Sequence, residues 1–391
     1  MDELSPARVN HFVLKKQHLV DCPETKDIVQ IAKDIGGLHG TSATGPYLSL
    51  YARSPSFRKK ELAVALAQKK SLARIRYVRN TVYVLPKDFI PVAFAATSRI
   101  AEVTAERFSK NLGITPAIYA RMASKILKVL EGRGLTAKEI KQKLRTASSV
   151  SPIVNLMCDK GLLVRSLPRE GWKSNQHSYF LFDDYYPELD LSVYSEREAR
   201  EIIIRGYVLS FGPVCEQDIA WWTGFPKAQV KEILDAMGDE VSPVEIPDWN
   251  DVYIVHSSER KSLLSFRVPE LPVVNVLPSL DPYMMGYKKR QRYLLPEHEK
   301  MVFDRSGNAT SVILVDGKVA GIWDCEEGLA KVFSMADLGK GVRKLIRTKV
   351  SDTGKFITEK PVRVEACRTM VPLTKRTAGS FMSPLKDCLH P

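Results

Sequence analysis

Residues 212–237 read GPVCEQDIAWWTGFPKAQVKEILDAM, and their spacing predicts a helix-turn-helix. Pro213 suits a helix opening, while Glu216 and Asp218 complement the positive end of the helix dipole. Ile219, Ala220 and Trp222 supply an apolar stripe that breaks at Gly224. A second helix starts at Pro226 and Lys227. Its Val230, Ile233, Leu234 and Met237 fall at i, i+3, i+4 and i+7, which leaves Lys227 and Lys231 facing away from the core. A helix of this kind fits the major groove of a duplex. Short strands expected at 244–246 and 252–255, around Pro247 and Asp248, supply the hairpin, or wing, of a winged-helix fold.

The same order is expected upstream. Leu135, Ile140 and Leu144 mark a short helix, and residues 152–160 a second one that Gly161 ends as a left-handed cap; strands follow at 162–167 and 179–182. Trp172, with Arg165, Arg169, Lys173, Asn175 and Gln176 around it, suits a phosphate-contacting wing with one stacking aromatic, or simply a solvated hairpin tip. Nearer the start, helical stripes at Val9, Phe12 and Val13, at Ile28, Ile31 and Ala32, at Tyr47, Leu48, Tyr51 and Ala52, and at Leu62, Ala65 and Leu66 precede strands at 72–77 and 81–85. This recurrence predicts an α+β fold of three tandem winged-helix domains, at 1–100, 101–193 and 194–264. A C-terminal α+β region, rich in β structure, is expected at 265–391. There Pro269, Pro272, Pro278 and Pro282 punctuate short apolar runs, and TSVILVDGKVAGIW predicts an Asp-Gly hairpin.

The 391 residues are 44% hydrophobic, enough for several cores, which excludes a disordered chain. The net charge of +13 favours polyanionic partners, since each phosphate neutralised by Lys or Arg releases condensed counterions. No run approaches the ~18 apolar residues of a membrane span, and MDELSPARVN lacks the basic and apolar regions of a secretory signal, so a cytoplasmic location away from membranes is expected. Cys22, Cys158, Cys215, Cys325, Cys367 and Cys388 form no CxxC pair, and no His stands at zinc-finger spacing; reduced thiols and no metal are expected. GGLHG at 36–40 is neither a P-loop nor a dinucleotide fingerprint, so no nucleotide cofactor is expected.

The helix-turn-helix, PSLDPYMMGYKKRQRYL from Pro278 and VILVDGKVAGIW from Val312 together resemble the AlkZ/YcaQ winged-helix family. GGLHGTSATGPYLSLYAR from Gly36 and RIRYVRNTVYVL from Arg74 extend the likeness over most of the chain. The resemblance implies three winged helices with a C-terminal β-rich region. It also implies DNA glycosylase activity on alkylated purines or alkylation crosslinks, with double-stranded, alkylated DNA as the partner. The family's catalytic motif resembles GL-Gln-x-Gln or GL-Gln-x-Asp, whereas here Gly37 and Leu38 precede His39, Gly40 and Thr41.

Hydrolysis of an N-glycosidic bond needs a positioned water and stabilisation of positive charge on the sugar; a cationic alkylpurine leaves without a strong acid. His39, as the neutral imidazole, can accept a proton from that water and the Thr41 hydroxyl can orient it, but neither carries the fixed charge of Asp. His39 and Thr41 are therefore read three ways: as catalytic, as DNA-binding without chemistry, or as structural caps. The expected DNA contacts are Lys227, Lys231, Trp172 and Arg79, together with Lys288, Lys289, Arg290 and Arg292, which lie between Tyr287 and Tyr293. Asp281 is read first as a turn cap, and Trp221, Trp222 and Trp323 as core. The alternative function is a non-catalytic winged-helix DNA-binding regulator or damage sensor.

Overall fold

The computed structural model describes residues 4–20, 27–370 and 372–373; Cys22 and Cys388 lie outside them. The chain is mixed α+β and divides into two compact units. One comprises Met1–Asp27, Tyr47–Phe57 and Gly206–Pro391, the other Ile28–Pro46 and Arg58–Arg205.

In the second unit a six-stranded sheet runs in the order Leu38–His39, Val82–Pro86, Leu72–Arg76, Leu163–Pro168, His177–Leu181, Leu135–Thr136. Both hairpins expected from the sequence are present, and they join through one antiparallel pairing of Arg74 with Arg165. Thr136 caps the Ala137–Lys143 helix and exchanges hydrogen bonds with Glu139, a capping box that satisfies two orphan donors. The Ser151–Asp159 helix has Pro152 in its first turn, and Gly161 (φ 71°) turns the chain into the next strand. Ile126, Leu130, Ile140, Val154 and Met157 form the core beneath these elements. The 22-residue helix Ile90–Asn111 was not among the expected elements. After Ile90 and Val92 its buried positions are Ala93, Ala96, Thr97, Ala101 and Ser109, whose small side chains give a weak apolar signal.

The first unit holds the helix-turn-helix: Glu216–Thr223, a left-handed Gly224 (φ 75°), then Lys227–Met237. Strands Val241–Val244 and Tyr253–His256 follow as an antiparallel pair. Val214 bridges Ile254, so a strand position before the helices pairs with the last strand of the hairpin. Leu38–His39 pairs likewise with Val82–Pro86, and Leu135–Thr136 with His177–Leu181. Among the described residues the order helix, short strand, helix, helix, hairpin thus occurs three times.

C-terminal to these elements, a five-stranded sheet runs Arg363–Ala366, Leu329–Ser334, Lys318–Glu326, Val312–Val315, Val274–Leu277. Asp316 (φ 51°) and Gly317 (φ 76°) make the expected hairpin turn, both residues left-handed as a twisted two-residue loop requires. The Lys340–Thr358 helix packs Ile346 and Val350 against this sheet. Trp222 and Trp323 are buried, and the Trp323 indole donates to the Leu277 carbonyl at 2.8 Å. Among the described residues no helix is long and apolar enough to cross a membrane.

Candidate functional site

Gly36 and Gly37 both have positive φ, at 71° and 98°, and a Cβ on Gly37 would lie 2.4 Å from Leu85 Cδ2. Only glycine accepts both the conformation and the space, and the resulting turn sets Leu38 and His39 opposite Val84 and Tyr83. The Gly40 N–H then donates to the Val82 carbonyl at 2.7 Å, and its own carbonyl accepts from the Arg74 guanidinium. His39 and Thr41 are therefore fixed on either side of a backbone unit held by two partners. His39 is 6% exposed, with its ring centroid 5.0 Å from that of Tyr83, whereas Thr41 is exposed.

Burial pushes the His39 pKa down to about 3, helped by the cations of Arg79 and then Arg74. At neutral pH the ring is an uncharged imidazole, and its buried Nδ1 has no hydrogen-bond partner among the described residues. Such a group accepts a hydrogen bond but is a poor proton sink. Arg79 sits at φ 52° in the turn of the hairpin that carries Tyr83, where burial raises the phenol to about 12 while Arg79 opposes the shift. His177, in the same sheet, is also held neutral, at about 4, by burial and by Arg74 and Arg165.

Elsewhere in this unit Trp172 is half-buried, with the Lys59 ammonium 4.4 Å and the Lys173 ammonium 5.5 Å from its ring. Its two arginine neighbours are committed internally. Arg165 is buried and donates to Asn155, while Arg169 bonds Glu139, Gly134 and Ser178.

In the first unit Lys227 and Lys231 are exposed on the second helix, as the periodicity requires, with Lys231 2.8 Å from Asp235. The cluster at 288–292 is not the open basic face the sequence suggests. Lys288 is exposed, but Lys289 pairs with Asp251 at 2.9 Å. Arg290 pairs with Glu299 and lies 3.6 Å over the Phe303 ring. Arg292, expected to contact DNA, is instead 3% exposed. It lies 3.8 Å over Tyr287 and donates to the Pro213 carbonyl at 2.7 Å. A delocalised guanidinium can be buried this way because aromatic faces and carbonyls replace its hydration. Asp218, fully buried, accepts the N–H groups of Lys288 and Lys289, each at 2.8 Å, and so ties this loop to the helix-turn-helix.

Asp281 does cap its turn, accepting from the Tyr283 N–H at 3.0 Å. It also receives a bidentate pair of 2.8 Å bonds from Arg53 and one of 3.0 Å from Ser49, all fully enclosed. No local pattern signals an ion pair between residues 228 apart. Sequence reading also missed the basic face of Lys340–Thr358, although its signal, KGVRKLIRTKV, is legible.

The family profile described as DNA glycosylase AlkZ-like matches residues 32–356. An "Interstrand DNA cross-link repair glycosylase" of Streptomyces sahachiroi is 21% identical over 315 residues, covering 75% of this chain and 82% of that protein. The solved structure of Streptomyces sahachiroi DNA glycosylase AlkZ superposes with a TM-score of 0.76 at 17% identity, over 93% of this chain and all of that one.

Proposed function

This chain belongs to the AlkZ-like DNA glycosylase family, and on that premise we propose that it binds duplex DNA and hydrolyses the N-glycosidic bond of alkylated purine nucleotides, crosslinked ones included. The three recurring sets of helices and hairpin are read as winged helices, divided near residues 100, 193 and 264 and followed by the C-terminal region. Lys227, Lys231, Lys288, Arg79 and Trp172 are the proposed DNA contacts.

The observation that carries the enzymatic reading is His39, a neutral buried imidazole at the family's motif position with Nδ1 unsatisfied and the Thr41 hydroxyl two residues away. In the proposed step the C1′–N bond breaks, its electron pair leaves with the cationic base, which becomes neutral, and water attacks C1′. A ring nitrogen of His39 accepts a hydrogen bond from that water, Thr41 orients it, and the water's proton passes to solvent. Little base strength is needed once C–N cleavage runs ahead of attack. Arg74 and Arg79 oppose positive charge on the sugar, so the flanking DNA phosphates are assigned the task of neutralising them.

The test is incubation with duplexes carrying N7-alkylguanine, N3-alkyladenine or an interstrand crosslink, scored for released base and alkali-labile strands above spontaneous depurination. Product should vanish in His39→Ala and in Thr41→Ala with duplex affinity retained; unchanged turnover rejects both roles. The residues at 39–41, which include no Gln or carboxylate, favour a second reading: a damage sensor that binds such duplexes and releases no base.

A further inference from the structure

We propose that the outer face of the Lys340–Thr358 helix is a docking ridge for the phosphate backbone of duplex DNA, an inference that rests on the duplex-binding reading above. At 3.6 residues per turn, Lys340, Arg343, Lys344, Arg347 and Lys355 occupy roughly one third of the helix circumference. All five are exposed, and no acidic residue falls within that arc. Arg343 has one long ion pair, 3.7 Å to Asp337, which is fully exposed; among the described residues the other four have none.

The arrangement costs the isolated helix stability. Lys340 with Lys344 and Arg343 with Arg347 are like charges at i, i+4, and each pair destabilises the helix. The first turn holds no acid, so Lys340 and Arg343 also oppose the helix dipole. A polyanion along the ridge removes both penalties. The adjoining face fixes the ridge in place, because Ile346 and Val350 are buried against the five-stranded sheet. From Lys340 to Lys355 the helix rises about 22 Å, about two thirds of a duplex turn. The basic residues at 289–292 are largely engaged within the protein, whereas those of the ridge are exposed.

The experiment measures affinity of the full chain for an undamaged duplex by fluorescence anisotropy across a salt series. The variant combines Lys340→Gln, Lys344→Gln, Arg347→Gln and Lys355→Gln, with helix content and urea midpoint checked first. The expected result is a Kd raised about tenfold or more at 0.1 M salt and a log–log salt slope flattened by about 3 to 4. Lys340→Arg, Lys344→Arg and Lys355→Arg together should retain both. Normal wild-type binding with an unchanged slope in the Gln variant overturns the ridge alone. Wild type without salt-dependent duplex binding overturns the duplex-binding reading as well. Loss of binding to anionic lipid vesicles but not to duplex assigns the ridge to a membrane surface and overturns the proposal.

Discussion

Acidification from pH 7 to pH 5 should weaken the fold through His39, and replacement of His39 by Gln should remove that part of the loss. The folded ring stays neutral down to about pH 3, while the ordinary value for the unfolded chain is 6.5. Between those values the unfolded state binds more protons, so stability rises with pH and is withdrawn as pH falls below 6.5. Linkage arithmetic gives a loss of about 2 kcal/mol for His39 between pH 7 and pH 5. His177, held neutral to about pH 4, adds a similar amount. Urea denaturation at both pH values should therefore show the His39→Gln chain losing about 2 kcal/mol less than wild type. The Cε1–H resonance of His39 should show no titration between pH 5 and pH 8. A midpoint near 6.5, or an unchanged pH dependence in the variant, refutes the buried neutral imidazole and with it the acceptor role in base release.

Asp281→Ala strands the Arg53 guanidinium and should cost about 3–5 kcal/mol, whereas Arg53→Met with Asp281→Leu should cost less than the single change; equal losses by thermal unfolding would contradict the buried pair. Gly37→Ala forces a side chain into φ 98° and against Leu85, with an expected cost of about 1–3 kcal/mol and reduced base release; wild-type stability and turnover would show that the turn does not hold His39. Lys227→Ala with Lys231→Ala should flatten the salt slope of duplex binding by about 2, measured by anisotropy, and no change would remove the second helix from the interface.

Local pattern determined much of this protein. The break at Gly224, the lysines at 227 and 231, the Asp-Gly hairpin turn at Asp316 and Gly317, and both hairpins of the six-stranded sheet follow from periodicity, capping and turn chemistry, which act over a few residues. Tertiary structure decided which charges remain available. Arg290 and Arg292 look like surface cations in sequence, yet aromatic rings and the Glu299 carboxylate fold against them, and Arg292 also donates to the Pro213 carbonyl of a distant segment. Asp281 looks like a turn cap, yet its strongest partner is Arg53. His39 reads as an ordinary titrating histidine until the hairpin brings Tyr83, Arg74 and Arg79 around it. Desolvation and Coulomb interaction depend on distance in space, and a sequence specifies that distance only after the chain has folded.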